Sequence, residues 1–447
     1  MATDEPTVRD QFRQFFALER DVLVLSLAMF AFSLGFQMTS RYLPEYMVAL
    51  GASGFVVGLY GTVGNVISAV YPYPGGAISD RLGSRYALTL FGLVSTVGFG
   101  IWLVTPELGT FSVAGVTIQP WLWIFVGLLF AQAWKSFGLG ATFAVVKQST
   151  EPSKLAAGFA STETFRRTAF LAGPVLAAIL IGLHPQFTVS FQYVLAVGVA
   201  GGVVGTVVQH LLYDATGDTI GDSFEGIKQL RADLREMPSE LRPLLIGDTL
   251  VRFANGMVYV FFVLVVTRFY EVGFDATLAL GGVSYSVSLS PAAFFGYLLG
   301  VEMLVALATM VPAAKLAERV GLKPVVALGF LVYGTFPVVL ISGPGLLSPA
   351  LSLQWAMVLL FAFSGLRFAG LPAHKALIVG PAEKDAGGRV TGTYYLLRNT
   401  VVIPSAAVGG YLWEFVSPEL AFGIAAVVGV AGTAYFLVFG QEFEAYQ

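Results

Sequence analysis

No cysteine occurs in the 447 residues, which excludes disulfides, thiolate metal sites and cysteine nucleophiles. Charge is nearly as scarce. Lys, Arg, Asp and Glu make up 12% of the chain, against about 25% in an ordinary soluble protein. Half the usual number cannot cover a water-facing surface. The three histidines, His184, His210 and His374, are too widely spaced to make a recognisable metal cluster. No G-x-x-x-x-G-K-[ST] phosphate loop is present, so ATP is not expected to drive the protein directly, and no cofactor is expected. With 25 basic and 28 acidic residues the net charge is −3, which leaves no bulk basicity to hold nucleic acid. The first 20 residues are charge-rich (Asp4, Glu5, Arg9, Asp10, Arg13, Glu19, Arg20). They contain no apolar region followed by a cleavage site, so they read as a cytoplasmic tail rather than a signal peptide.

What the chain has in excess is apolar surface: 56% of residues are hydrophobic and the mean hydropathy is +0.76. Apolar runs long enough to cross about 30 Å of hydrocarbon recur along it. Breaks at Pro, Gly and charge place spans at about 21–46, 54–78, 86–105, 121–146, 157–183, 187–212, 244–269, 290–313, 323–342, 354–379, 389–413 and 418–440. Twelve spans put both termini on one side. With that side cytoplasmic, Arg81, Arg85, Lys147, Lys154, Arg319 and Lys323 all fall on inner segments, while the outer loops carry almost nothing basic beyond Arg41 and Arg268 near outer helix ends. This is the Lys/Arg asymmetry that sets orientation, and a miscounted helix would invert it. The expected organisation is a tail (1–20), a six-helix bundle (21–212), a central cytoplasmic loop (213–243), a second bundle (244–440) and a short cytoplasmic tail (441–447) in a cell-membrane protein. Phe224, Ile227, Leu230 and Leu234 in the central loop suit an amphipathic helix on the membrane surface, or equally a solvated linker helix.

The halves repeat. Gly76-Ala-Ile-Ser-Asp80-Arg81-Leu-Gly83-Ser-Arg85 after the second span matches Ala314-Lys-Leu-Ala-Glu318-Arg319-Val-Gly321-Leu-Lys323 after the eighth, an offset of 238 residues. Lys135-Ser-Phe-Gly138-Leu-Gly-Ala141 in the fourth span matches Arg367-Phe-Ala-Gly370-Leu-Pro-Ala373 in the tenth, an offset of 232. Two matches at nearly one offset argue for duplication, with the halves related by a pseudo-two-fold axis along the membrane normal.

The segment Gly76–Arg85 resembles the loop 2–3 signature of the major facilitator superfamily, G-x-x-x-D-R-x-G-R-[RK], with Ser84 in place of the first arginine of the final pair. The resemblance extends over the whole chain and implies an all-α integral membrane fold of two six-helix bundles. The implied activity is secondary active transport by alternating access, and not catalysis. It also implies that Gly76, Asp80, Arg81, Gly83 and Arg85, with Glu318, Arg319 and Gly321, form a cytoplasmic gate. Asp80 is expected to meet a helix N-terminus in the other half, and Arg81 and Arg85 to cap carboxylates or carbonyls. The plainer alternative is that these charges only enforce topology.

Ionisable residues inside spans are the candidates for substrate and coupling. Lys135 and Arg367 lie near mid-span, and the resemblance places the fourth and tenth spans on the central cavity. They are expected to face one another and bind a small organic anion, unless each is neutralised by a buried carboxylate such as Glu163 or Glu302. Glu302, alone in the eighth span, is the first candidate for proton exchange, with a salt bridge as the competing reading. Arg41 and Glu45, one turn apart, are expected to pair at an outer gate, with substrate contact by Arg41 as the weaker option. Asp248 and Arg252 have the same spacing and are expected to form an ion pair. Asn255 and Tyr259 are polar cavity candidates.

Glu163, Arg166 and Arg167 in the fifth span and Arg398-Asn399 in the eleventh are further charged candidates, Glu163 and Arg167 for ion pairing. Gly173-Pro174 is similar to the fifth-helix motif of antiporters of the family, but Ala177-Ala178 replaces the usual Gly-Gly. Gly138-Leu-Gly140-Ala141 is similar to the fourth-helix motif of proton-coupled members, with Lys135 one residue later than the expected arginine. Expected partners are the lipid bilayer and a small-molecule substrate, with protons as candidate coupling ion, and the protein is expected to act as a monomer. The alternatives are a multidrug-type proton antiporter and a non-transporting sensor. Arginine outnumbers lysine, as in prokaryotes of high-GC genome.

Overall fold

The computed structural model describes residues 20–71, 78, 81–113, 115–135, 155–213, 239–280, 283–347, 350–379 and 387–442. The N-terminal tail up to residue 19, Gly76, Asp80 and the central segment 214–238 with its expected amphipathic helix lie outside the described residues. So do the side chains of Glu163 and Arg166.

Helix dominates. The elements are α1 (Arg20–Thr39), α2 (Leu43–Ala49), α3 (Gly54–Val70), α4 (Ser84–Leu108), α5 (Leu122–Ala133), α6 (Leu155–Ile181), α7 (Phe187–Leu212) and α8 (Arg242–Val258). After α8 the helix loosens into a 3-10 turn (Tyr259–Phe261) and a π segment (Val265–Phe269). Then follow α9 (Pro291–Val320), α10 (Leu322–Leu347), α11 (Leu353–Gly365), α12 (Leu371–Val379), α13 (Gly387–Val402), α14 (Ser405–Phe415) and α15 (Pro418–Phe439). Among the described residues seven helices are long and apolar enough to cross a membrane, or eight if α1 and α2, bent by 43°, form one span. Gly54–Val70, Leu122–Ala133 and Arg167–Ile181 are apolar but shorter.

Local chemistry explains several starts. Ser290 and Ser417 each precede a proline at the first helical position. Each hydroxyl accepts from the backbone N–H three residues on, at Ala293 (3.3 Å) and Leu420 (3.1 Å). Serine satisfies an orphan donor and proline loses nothing at that position. Within the spans, threonines such as Thr96, Thr206 and Thr433 donate to the carbonyl four residues back. The hydroxyls therefore need no water, as hydrocarbon surroundings require. Leu93, Val204, Val311, Val427 and Val438 are exposed on the helices, which suits a lipid-facing exterior.

Gly83 (φ 77°) and Gly321 (φ 91°), mates in the repeat, share a left-handed backbone with ψ of 155° and 164°. Only glycine adopts that region without strain. The signature glycine is thus a conformational requirement in both halves.

Two hairpins depart from the all-helical expectation. β1 (Phe111–Val113) pairs with β2 (Val116–Ile118), and β3 (Phe274–Leu280) pairs antiparallel with β4 (Val283–Leu289), Phe274 opposite Leu289. β4 reads Val-Ser-Tyr-Ser-Val-Ser-Leu, the period-two alternation of a strand.

Contacts divide the chain into two compact units: Met1–Ser40, Val70–Leu176 and Phe191–Phe224; and Arg41–Ala69, Ala177–Ser190 and Glu225–Gln447. In the first, α4 packs on α5, where Ser95 donates to the Ala131 carbonyl (2.6 Å) and Trp102 to that of Ile124 (2.9 Å). Phe32 stacks on Trp134 with centroids 4.5 Å apart. In the second, Leu244, Val251, Val326, Phe330, Leu377 and Phe436 form the core around α8, α10, α12 and α15. This core supports the polar cluster described next.

Candidate functional site

The second unit buries two linked sets of charges. In one, Asp248 on α8 is fully buried and surrounded by four partners. Arg252, one turn on, donates from Nε to Oδ1 at 3.2 Å, the expected i, i+4 pair. Arg398 Nη1 and the Tyr394 hydroxyl, both on α13, donate to Oδ2 at 3.0 and 3.1 Å. His374 Nε2, on α12, lies 3.2 Å from the same oxygen. Arg252 also donates to the Tyr333 hydroxyl at 3.1 Å. A carboxylate out of water needs such a shell.

Arg398 has a second arrangement on its other edge. Its Nε and Nη2 both donate to the Asn399 side-chain carbonyl, at 3.1 and 3.0 Å. That is the fork with which arginine grips a carboxylate, here occupied by a neutral oxygen. Arg252 and Arg398 line a cavity of about 180 Å³ together with Asn65, Asn255, Tyr259 and Asn399. Asn255 and Tyr259 therefore stand where the sequence places polar contacts, and Asn65 and Asn399 complete the polar lining.

The other set is centred on Glu302. Gly365 lets α11 approach α9 so closely that a Cβ there would lie 2.5 Å from the Glu302 carbonyl. The next turn brings Arg367 Nη2 to Glu302 Oε1 at 2.5 Å, with both side chains at most 2% exposed. Arg367 is ringed by Phe262, Tyr333, Phe336 and Phe368. Arg41 adds a second cation, with Nη2 3.7 Å from Glu302 Oε1 and its guanidinium 4.0 Å from the Tyr259 ring centroid. A void of about 10 Å³, room for one water, lies among Arg252, Tyr333, Arg367 and His374, between the two sets.

Three expectations are corrected. Arg41 and Glu45 do not pair. The helix breaks between Thr39 and Leu43, so the i, i+4 relation fails; Arg41 turns to Glu302, while Glu45 accepts from Arg268 Nη2 (2.7 Å) and Thr267 (2.7 Å). Glu302 is not isolated: the competing reading of a salt bridge holds, because the fold delivers Arg367, a partner 65 residues distant. Arg367 does not line the larger cavity; it is held by Glu302. Lys135 belongs to the first unit, exposed at the end of α5 with Nζ 5.9 Å from the Phe36 centroid. Arg167 is half-buried.

Of the gate residues, Arg81, Glu318 and Arg319 are exposed. Arg85 donates to the His210 carbonyl near the end of α7 (2.9 Å). At the second copy, Glu442 accepts from the Leu322 and Lys323 N–H groups (2.9 and 2.8 Å), placing an anion on the α10 N-terminus. His374 and Tyr394 are partners of Asp248 that the sequence reading missed. For His374 the available signal was an ionisable residue inside an apolar span, toward its end.

Comparison with known proteins settles the family. Residues 25–301 match the Major Facilitator Superfamily. The chain belongs to that superfamily. An uncharacterized MFS-type transporter of Methanocaldococcus jannaschii is 21% identical over 415 residues, covering 92% of this chain and 93% of the relative. Crystal structures of MFS-fold transporters superpose along nearly the full length. The nucleoside transporter NupG gives a TM-score of 0.71 at 13% identity, covering 94% of this chain and 99% of its own. The peptide transporter POT in complex with sulfate gives 0.68 at 15%, covering 96% and 97%. This MFS protein is a multi-pass membrane protein with the transporter fold of its relatives.

Proposed function

We propose that this MFS protein is a secondary active transporter that carries a small organic anion by alternating access through twelve spans, both termini cytoplasmic. The anion binds in the cavity of Arg252 and Arg398. The observation that carries this reading is a charge imbalance. Among the described residues the two linked sets hold four guanidiniums (Arg41, Arg252, Arg367, Arg398) against two carboxylates (Asp248, Glu302). An excess of two positive charges in a low-dielectric interior is costly, and a bound anion relieves it. Asn399 keeps the Arg398 fork formed in the meantime, and an arriving carboxylate displaces a neutral amide rather than a charge. Asn65, Asn255 and Tyr259 supply neutral hydrogen-bonding groups that can orient the rest of the solute.

The test is uptake into proteoliposomes of lactate, tartrate and sulfate beside a lipophilic cation. The expected result is saturable uptake of at least one anion, reduced about 30-fold or more by Arg398→Gln, since losing a buried charged hydrogen bond is worth 2 kcal/mol or more. Transport of the lipophilic cation with none of the anions would replace this reading with a multidrug antiporter.

A further inference from the structure

We infer that the solute is a 2-hydroxy carboxylate and that Asn399 selects its hydroxyl. The inference rests on the anion reading above and names the class of anion. Its starting point is the contact between Arg398 and Asn399. The two are neighbours on α13, and adjacent helical side chains point about 100° apart. Both must fold back along the helix for Arg398 Nε and Nη2 to donate to Asn399 Oδ1 at 3.1 and 3.0 Å. The guanidinium itself is anchored elsewhere, through Nη1 to Asp248 Oδ2 on α8 at 3.0 Å. A carboxylate can therefore take the fork without moving Arg398. Only the amide has to leave.

What the displaced amide meets decides the selectivity. Its oxygen loses two N–H donors and, in a cavity filled by solute, needs a new one. Sulfate or a plain carboxylate brings only acceptors. A hydroxyl on the carbon beside the carboxylate brings an O–H close to the place that Oδ1 has vacated, and its oxygen can accept from the amide N–H. The exchange then balances. The fork trades one neutral oxygen for two charged ones, and the amide trades its N–H donors for the O–H. A 2-ammonium group could donate to the amide equally well, but the charge balance disfavours it. Among the described residues the two sets carry four guanidiniums against two carboxylates, and a zwitterion brings no net charge to offset the excess. The remaining lining suits further hydroxyls, because Asn65 and Asn255 each offer both donors and an acceptor. The cavity measures about 180 Å³. With about 10–15 Å³ needed per water, that is room for roughly a dozen atoms of water size, more than lactate fills and close to a six-carbon sugar acid.

Matched acids test this on the full chain. Lactate, propionate and L-alanine share one skeleton and differ at carbon 2 by a hydroxyl, a hydrogen and an ammonium. Tartrate and gluconate have succinate and hexanoate as partners without hydroxyls. Binding of each, and of sulfate, is measured by calorimetry in detergent. At least one hydroxy acid is expected to bind about 30-fold or more tightly than its partner, the scale of one buried acceptor left without a donor. L-Alanine should bind no better than propionate. In Asn399→Ala the fork stands free and no amide needs a donor. The plain acids and sulfate should then bind as well as to the wild type or better, and the preference for the hydroxyl should fall to about threefold or less. Retained sulfate binding marks the variant as folded, and the wild-type comparison stands without it. Equal affinity within every set, L-alanine binding as tightly as lactate, or binding of sulfate alone overturns the inference and leaves the anion site standing. A preference that survives Asn399→Ala assigns the hydroxyl to another residue and also overturns it. If neither these acids nor sulfate binds, the anion reading itself fails, and this inference with it.

Discussion

Glu302→Leu is expected to destabilise the protein by about 3–5 kcal/mol, and adding Arg367→Leu is expected to restore most of the loss. The pair sits at most 2% exposed among aromatic rings. Removing the carboxylate alone strands the Arg367 guanidinium, buried among aromatic rings, without its carboxylate partner. Removing both exchanges an ion pair for apolar side chains in apolar surroundings, which is often neutral or stabilising. Arg41 also loses its contact with Glu302, but it is more exposed and keeps the Tyr259 ring. The check is a double-mutant cycle on thermal or denaturant unfolding in detergent. Losses that simply add would show that the two side chains do not depend on one another.

Asp248→Ala is expected to have an effect of similar size and a different remedy. The carboxylate holds Arg252, Arg398, Tyr394 and His374 at once, so its loss leaves two cations without a counter-charge, again about 3–5 kcal/mol. Here the cavity lies alongside, so a soluble anion can substitute. Sulfate at about 100 times its Kd returns roughly 2.7 kcal/mol, and the variant should bind it more tightly than the wild type does, because no internal carboxylate competes. Equal stabilisation of wild type and variant by sulfate would argue that Asp248 and the anion do not share the arginines.

Much of the fold is legible in the sequence because bilayer-length apolar runs and their breakers act locally. The Ser-Pro pairs at 290–291 and 417–418 mark helix starts by chemistry confined to four residues, and the 187–212 span is read to the residue. The β3–β4 hairpin is equally local: its serine alternation stands in the stretch between the 244–269 and 290–313 spans, where a loop is expected. The site is another matter. Arg367 and Glu302 are 65 residues apart, and Arg398 and Asp248 150 apart. A single sequence identifies each as an improbable charge in an apolar span and offers Glu302 only as one of several possible partners for Arg367. Where spacing did suggest a pair, the outcome followed the backbone. Asp248–Arg252 holds because α8 is continuous there, and Arg41–Glu45 fails because the helix bends between Thr39 and Leu43. The signature glycines show a repeat carried by conformation: Gly83 and Gly321 keep a left-handed backbone although their neighbours differ.

The central claim, that the Arg252–Arg398 cavity opens to each side of the membrane in turn, can be tested directly because the native chain has no cysteine to confuse the readout. Asn255→Cys puts one thiol in the cavity lining, to be probed with a membrane-impermeant thiol reagent applied to vesicles of each orientation. The account predicts labelling from both faces, slowed on both by a saturating transported anion. Labelling from one face alone under every condition would contradict it.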